Sequence, residues 1–179
     1  MNIIKILDNA NKSEVHLARL LILLNIITEK GIKNINGITK LVKLDFFLRY
    51  PSYLKRALSY TLSKSAFESI SFEYNNIEAH MVRFLYGPWD DKYRLYLNIL
   101  YAKKLITIHK NGNTININLT DSGVKLSNHF IQDSSFSLIV FRSELLKKYF
   151  DKKGAWLKNF IYKYFPEIKY MEYGEVITK

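Results

Sequence analysis

The feature that most limits what this chain can fold into is a change of hydrophobic period in its second half. From Trp89 the apolar residues Trp89, Tyr93, Tyr96, Leu97 and Leu100 recur at helical spacing. They make one stripe of an amphipathic helix running to about Lys104. Pro88 stands just before it, in the first turn, where its missing N–H costs nothing. Beyond Leu105 the period changes. Ile106 and Ile108 alternate with Thr107 and His109, and Ile115, Ile117 and Leu119 alternate with Asn116 and Asn118. Strict alternation is the mark of a strand. Asn111-Gly112-Asn113 between the two runs supplies the positive backbone dihedrals of a tight hairpin. Asp121, a good N-cap residue, then opens a further helix. A helix, a hairpin and a new helix form the helix-and-wing half of a winged helix.

Taken from the start, residues up to about Lys12 read as a tail or as a tail with a short ordered piece, and Ser13 as the cap of a first helix. Val15, Leu17, Leu20, Leu21, Leu24 and Ile27 line one side of that helix, and Ile22, Leu23 and Ile26 fill much of the rest. A helix apolar on most sides is buried on most sides: it is either the centre of the domain or has one face against another chain. Gly31 is its expected stop, and Asn36-Gly37 opens the next helix. There Lys40 and Lys43, three apart, are expected on one exposed face. Pro51 disfavours a helical residue before it, so it ends that run and starts a third helix. The inner stripe of this third helix is Leu54, Ala57, Leu58, Thr61 and Leu62, with Lys55, Arg56 and Ser59 outward. Ser63 to Ala79 reads as a loop or short edge strand, and His80 to Tyr86 as strand or helix.

After the helix opened by Asp121, the polar run Gln132-Asp133-Ser134-Ser135 marks a boundary. Phe136 to Phe150 reads as one helix, Gly154 as punctuation, and Ala155 to Phe165 as another helix before Pro166. The last residues read as a tail. The expected fold is therefore mainly α within an α+β class: a winged helix-turn-helix domain over residues 1–133 and a C-terminal helical extension over 134–179.

The chain carries 27 Lys and Arg against 16 Asp and Glu, a net charge of +11. Either an anionic partner or the solubility of a Lys-rich sequence accounts for this. Aromatic residues are abundant, at 15%, and aromatics serve interfaces as well as cores. With no cysteine, disulfides, thiolate chemistry and Cys-based zinc sites are excluded, and a reducing cytoplasm is allowed. No signal peptide is read in the opening residues. The apolar run from Leu20 to Ile27 is far short of the roughly 20 residues of a membrane span.

Catalytic patterns are missing. None of the seven glycines lies in a nucleotide-binding G-x-x-x-x-G-K-[ST] loop. His16, His80, His109 and His129 stand singly, without the spacing of a metal motif. Asp90-Asp91 falls in the first turn of a helix, where carboxylates oppose the macrodipole. No G-x-S-x-G nucleophile elbow occurs. The chain is expected to be no enzyme and to hold no cofactor or metal.

Binding is the remaining class. A recognition helix presents Arg, Lys, Asn or Gln to base edges, whereas the helix after Pro88 would present Asp91, Arg94 and Asn98. One arginine beside an acid makes a poor reader of sequence. Basic residues are denser on the earlier helices. The residues expected to contact nucleic acid or a partner are Lys40, Lys43, Arg49, Lys55, Arg56, Arg94 and Lys110, the last at the wing tip. Lys40 to Arg56 form either a non-specific phosphate surface or a solvated basic face. The aromatic surplus favours a third reading, a winged helix used to dock proteins. Trp89 and Trp156 are expected to pack rather than bind.

Two segments resemble one family. Asn36-Gly37-Ile38-Thr39-Lys40-Leu41-Val42-Lys43-Leu44-Asp45-Phe46-Phe47-Leu48-Arg49-Tyr50-Pro51 and Arg83-Phe84-Leu85-Tyr86-Gly87-Pro88-Trp89-Asp90 look like the middle component of bacterial ABC-three-component systems, including the Lamassu type of anti-phage and anti-plasmid defence. Gly154-Ala155-Trp156-Leu157-Lys158-Asn159-Phe160-Ile161-Tyr162, with Phe165-Pro166-Glu167, is consistent with it. The resemblance implies a small non-catalytic subunit. It would sit with an SMC-like ABC ATPase and an effector, often a nuclease, and help restrain that effector until foreign DNA is sensed. A winged-helix transcriptional regulator is the competing reading, and it predicts sequence-specific DNA binding. A toxin-type enzyme is a distant third.

Overall fold

A computed structural model describes residues 3–70, 81–82, 92–170 and 176–177. Gly87, Pro88, Trp89 and the Asp90-Asp91 pair lie outside them. The architecture is mainly helical, with a small antiparallel sheet.

Helix α1 spans Ile3–Ile27, so the segment expected to be a tail is helical and Ser13 lies inside the helix rather than capping it. The reason is local. Ile3, Ile6, Leu7 and Ala10 already follow helical spacing, and no Gly or Pro interrupts the run. Further along, Leu20 to Leu24 are all at most 2% exposed. This makes α1 the central helix, with α6 and α7 packed along it. Thr28 closes it, its hydroxyl donating to the Leu24 carbonyl at 2.7 Å and accepting from the Gly31 amide at 3.1 Å.

A two-residue strand β1 (Ile35–Asn36) leads into α2 (Ile38–Arg49). Pro51 stands in the first turn of α3 (Pro51–Thr61), as its fixed φ and missing N–H require. Leu54, Ala57 and Leu58 are fully buried, but Thr61 is exposed. Ser63 caps a short α4 (Lys64–Glu68) through the Ala66 amide, where a loop or strand was expected. The pair β2 (Met81–Val82) and β5 (Val176–Ile177) is antiparallel, so the expected C-terminal tail contains a strand.

Helix α5 is Tyr93–Ala102, followed by β3 (Ile106–Asn111) and β4 (Thr114–Leu119). These strands form the expected hairpin, with Ile108 opposite Ile117 and Asn111 opposite Thr114. Its two-residue loop opens on Gly112 at φ +57°, the one positive φ in the turn. Glycine fits that first central position without a Cβ penalty. Strand β1 pairs with β4, giving a three-stranded sheet in the order β1-β4-β3. Its inner face buries Ile35, Ile106, Ile117 and Leu119.

Helix α6 (Asp121–Gln132) is capped by Thr120, not by Asp121. Thr120 is extended (φ −83°, ψ 171°), as an N-cap must be, and accepts from the Gly123 amide at 3.0 Å. Asp121 is already helical, in the first turn. A 3-10 turn at Ser134–Phe136 leads to α7 (Ser137–Phe150), then α8 (Gly154–Tyr164) and α9 (Glu167–Tyr170). Helix α7 lies against α1 and α2, and α8 against α2. Phe46, Phe47, Tyr50 and Tyr53 meet Phe150, Phe160 and Phe165 in a continuous aromatic cluster. Buried side chains from before and after residue 133 thus belong to one core.

Candidate partner-binding surfaces

A polar triad lies inside the apolar core. Asp45 on α2 accepts from Arg19 Nε at 2.7 Å and Arg19 Nη2 at 3.2 Å, and from the Tyr93 hydroxyl of α5. All three side chains are at least 95% out of water. Burial alone would raise the Asp45 carboxyl, but Arg19, Arg49 and the Tyr93 hydroxyl hold it below the ordinary carboxylate value. Burial and the Asp45 charge push the Tyr93 phenol well above its ordinary value. The triad locks α1, α2 and α5 at a fixed angle, so the outward face of α5 is rigidly presented.

That face carries Arg94, Leu95, Asn98 and Tyr101, while Tyr93, Tyr96, Leu97 and Leu100 point inward. Leu95 is 54% and Tyr101 55% exposed. Two large apolar groups therefore share the surface with two polar ones. Lys110 is exposed on β3 near the hairpin tip.

The remaining predicted contact residues do not assemble into one basic patch. Lys43 is 4% exposed, not on an exposed face with Lys40. Its ammonium donates to the Gly154 carbonyl at 3.2 Å, because α8 packs on that side of α2. Burial and the charge of Lys158 lower its pKa to about 8. Lys40 donates to Asp151 at 2.5 Å, and Arg56 to Glu167 at 2.7 Å while lying over the Phe165 ring. Three cations of α2 and α3 thus bind three successive points of the C-terminal segment and fasten it to the helices before it. Arg49 is half-buried, beside the Tyr50 ring and close enough to Asp45 to lower its pKa. Lys55 is half-buried on α3.

Two grooves remain. One, of about 740 Å³ between α1, α6 and α7, is lined by both signs of charge, Glu29 and Glu144 with Lys30, Lys147 and Lys148. The other, of about 300 Å³, lies where β1 and the first turn of α2 meet the start of α8. Lys33, Asn34, Asn36, Lys40, Lys152 and Lys153 line it, with Asp151 the single acid. Gly154 brings the two elements together: a Cβ there would stand 3.4 Å from the Lys40 amide nitrogen. The first turns of α2 and α8 contain no acidic residue.

Among the described residues, no group of three His, Cys, Asp or Glu side chains comes together as a metal site would need. Nor is any helix there long and apolar enough to cross a membrane. Comparison with protein-family models, with curated proteins and with solved structures gives no match.

Two features escaped the sequence reading. The buried triad had a visible signal: Arg19 and Asp45 each interrupt an otherwise apolar run, Ala18 to Leu24 and Leu44 to Leu48. A charge inside a buried stripe demands a partner. The lysine cleft had only a weak one, the Lys152-Lys153 pair, because its walls come from segments more than a hundred residues apart.

Proposed function

We propose that the chain is a non-catalytic winged-helix subunit of an anti-phage or anti-plasmid defence complex. In this reading it docks, in the cytoplasm, on an SMC-like ABC ATPase and helps hold or regulate a nuclease-type effector. Support for the winged helix comes from element order and pairing. A helix, a short strand, a helix, then α5 and the hairpin, with β1 joined to the far strand β4, is the order of a winged helix. Helices α3 and α4 would be an insertion before α5. The resemblance to the middle component of ABC-three-component systems supplies the partners.

The observation that carries the docking reading is the outward face of α5. A helix that reads bases needs hydrogen-bond donors and acceptors there. This one offers Leu95 and Tyr101, each more than half exposed, the apolar and aromatic content of a protein interface. The cations of α2 and α3 expected on a phosphate surface are in part engaged inside the chain, with Asp151, Gly154 and Glu167. A regulator reading keeps one point in its favour: Arg94 and Asn98 are residue types that read guanine and adenine.

Co-expression of the chain with its neighbouring genes, followed by affinity capture, tests the proposal. A coiled-coil ATPase should co-purify, and Leu95→Asp should release it while leaving the fold intact. Capture of no ATPase or effector, together with selection of a single DNA sequence from a random pool, would replace the docking reading with the regulator.

A further inference from the structure

The lysine-lined cleft between the start of α2 and the start of α8 takes no part in the docking reading, and it lies on a different element from the exposed face of α5. We propose that it is a binding site for the backbone phosphates of a nucleic-acid strand. Three observations carry this. First, the polar side chains of its wall are donors: the ammonium groups of Lys33, Lys40, Lys152 and Lys153, and the amides of Asn34 and Asn36. Asp151 is the only acid among them and is held by Lys40. Four ammonium groups stand around about 300 Å³ against two carboxylates that pair with them, Asp151 on Lys40 and Glu29 on Lys33 at 2.7 Å, and an anion offsets the positive charge left over, that of Lys152 and Lys153 above all.

Second, the remaining charge is presented outward. Lys33, Asn34, Asn36, Lys152 and Lys153 are exposed at the rim, and only Lys40 is half-buried. A closed site for one small anion would bury its donors. A row of exposed ammonium groups fits a polyanion passing along the surface, whose condensed counterions they would displace.

Third, the walls are rigid. The cleft is pinned by the Lys40–Asp151 pair, by the Lys43 ammonium on the Gly154 carbonyl and by the contact of Gly154 with α2. The lysines are therefore held together before any ligand arrives, which lowers the ordering cost of binding. The contacts are to backbone and not to base edges, so binding is expected to be independent of sequence.

Fluorescence anisotropy on the full chain with a labelled random-sequence duplex, across a salt series, tests this. Lys152→Gln/Lys153→Gln should weaken binding at least tenfold and reduce the slope of log affinity against log salt by about 1.8, the value for two lost phosphate contacts. Lys103→Gln/Lys104→Gln, an equally exposed pair after α5 with the same charge change, should stay within twofold of the parent. Both pairs are on the surface, and circular dichroism checks that both variants fold. No binding of the duplex at 0.1 M salt, or equal losses in the two variants, would overturn the site. So would a polyglutamate peptide bound as tightly as the duplex. Displacement of the duplex by sub-millimolar inorganic phosphate at matched ionic strength would assign the cleft to a free phosphate instead of a strand.

Discussion

Arg19 of α1 and Asp45 of α2 are joined by two hydrogen bonds, at 2.7 and 3.2 Å, in a part of the core that water does not reach. A buried ion pair adds little net stability, since desolvation of both ions offsets their attraction. What it fixes is geometry. Tyr93 joins the same carboxylate from α5, so the crossing of three helices is set by one side chain. The buried apolar residues of the same three helices, Leu20, Leu41, Leu48 and Leu97 among them, would tolerate several packings; the triad tolerates one.

Removing one member should therefore be far worse than removing all three. Asp45→Ala takes the carboxylate away from a buried guanidinium and a buried hydroxyl and is expected to cost about 3–5 kcal/mol. Arg19→Met combined with Asp45→Leu and Tyr93→Phe, which removes the buried hydroxyl as well, should recover most of that loss. Urea denaturation of the three proteins measures it. The pH dependence follows from the lowered Asp45 pKa. Its contribution is complete above the unfolded value, near 3.8, and is lost as pH falls through the lower folded value. The parent should therefore lose stability on acidification below about pH 4, and Asp45→Ala should lack that component.

The cap of α6 separates two residues that are adjacent in sequence. Thr120 holds the Gly123 amide, while Asp121 offers only its charge to the first turn. Thr120→Ala should cost about 1 kcal/mol. It also loses the bond from the Thr120 hydroxyl to the Lys104 carbonyl at 2.7 Å, which ties the helix to the end of α5. Asp121 is exposed, so Asp121→Ala should cost less, about 0.3 kcal/mol at low salt, the lower end for a carboxylate in a first turn. Thermal unfolding of both variants gives the ranking, and the reverse order would return the cap to Asp121.

The sequence carried the repeating parts of this fold well. Alternation in Ile106–Ile108 and Ile115–Leu119, the stripe from Tyr93 to Leu100 and the stop at Pro51 are local signals, and the structure has the corresponding elements. The α1 start is equally local, in the helical spacing of Ile3, Ile6, Leu7 and Ala10, but Ser13, a good cap residue, gives a competing start inside the same run. The polar pairings were a different matter. Whether Lys43 faces water or the Gly154 carbonyl depends on where α8 lands, and no spacing within α2 encodes that. The same holds for Lys40 with Asp151 and Arg56 with Glu167. A basic face read from one helix dissolves when another helix packs on it.

Gly123 is a position where side-chain size alone should decide stability. A Cβ there would stand 2.0 Å from the Leu105 carbonyl oxygen, and that atom is backbone. The approach lets α6 start directly against the entry to β3. Gly123→Ala, which elsewhere in a helix would help, must push the two backbones apart. It is expected to destabilise by about 3 kcal/mol, at the upper end of overpacking costs. A midpoint of urea denaturation equal to or above that of the parent would show that the α6–β3 contact can yield.

Lys43 should give the chain an alkaline rise in stability. Burial first, and the charge of Lys158 second, lower its pKa from 10.5 to about 8. Between those two values the unfolded chain holds the proton more tightly than the folded one. The sign follows from linkage: stability increases with pH wherever the unfolded state binds more protons. At neutral pH the ammonium is charged in both states and carries its full desolvation cost. Above about pH 8 the folded chain releases the proton and that cost declines, until the unfolded chain also titrates near 10.5. Lys43→Met keeps the apolar stem and removes the titration. The stability of the parent relative to Lys43→Met should therefore rise between pH 7 and pH 10, measured by denaturation at constant ionic strength. Parallel curves for the two proteins would place the Lys43 ammonium in water rather than under α8.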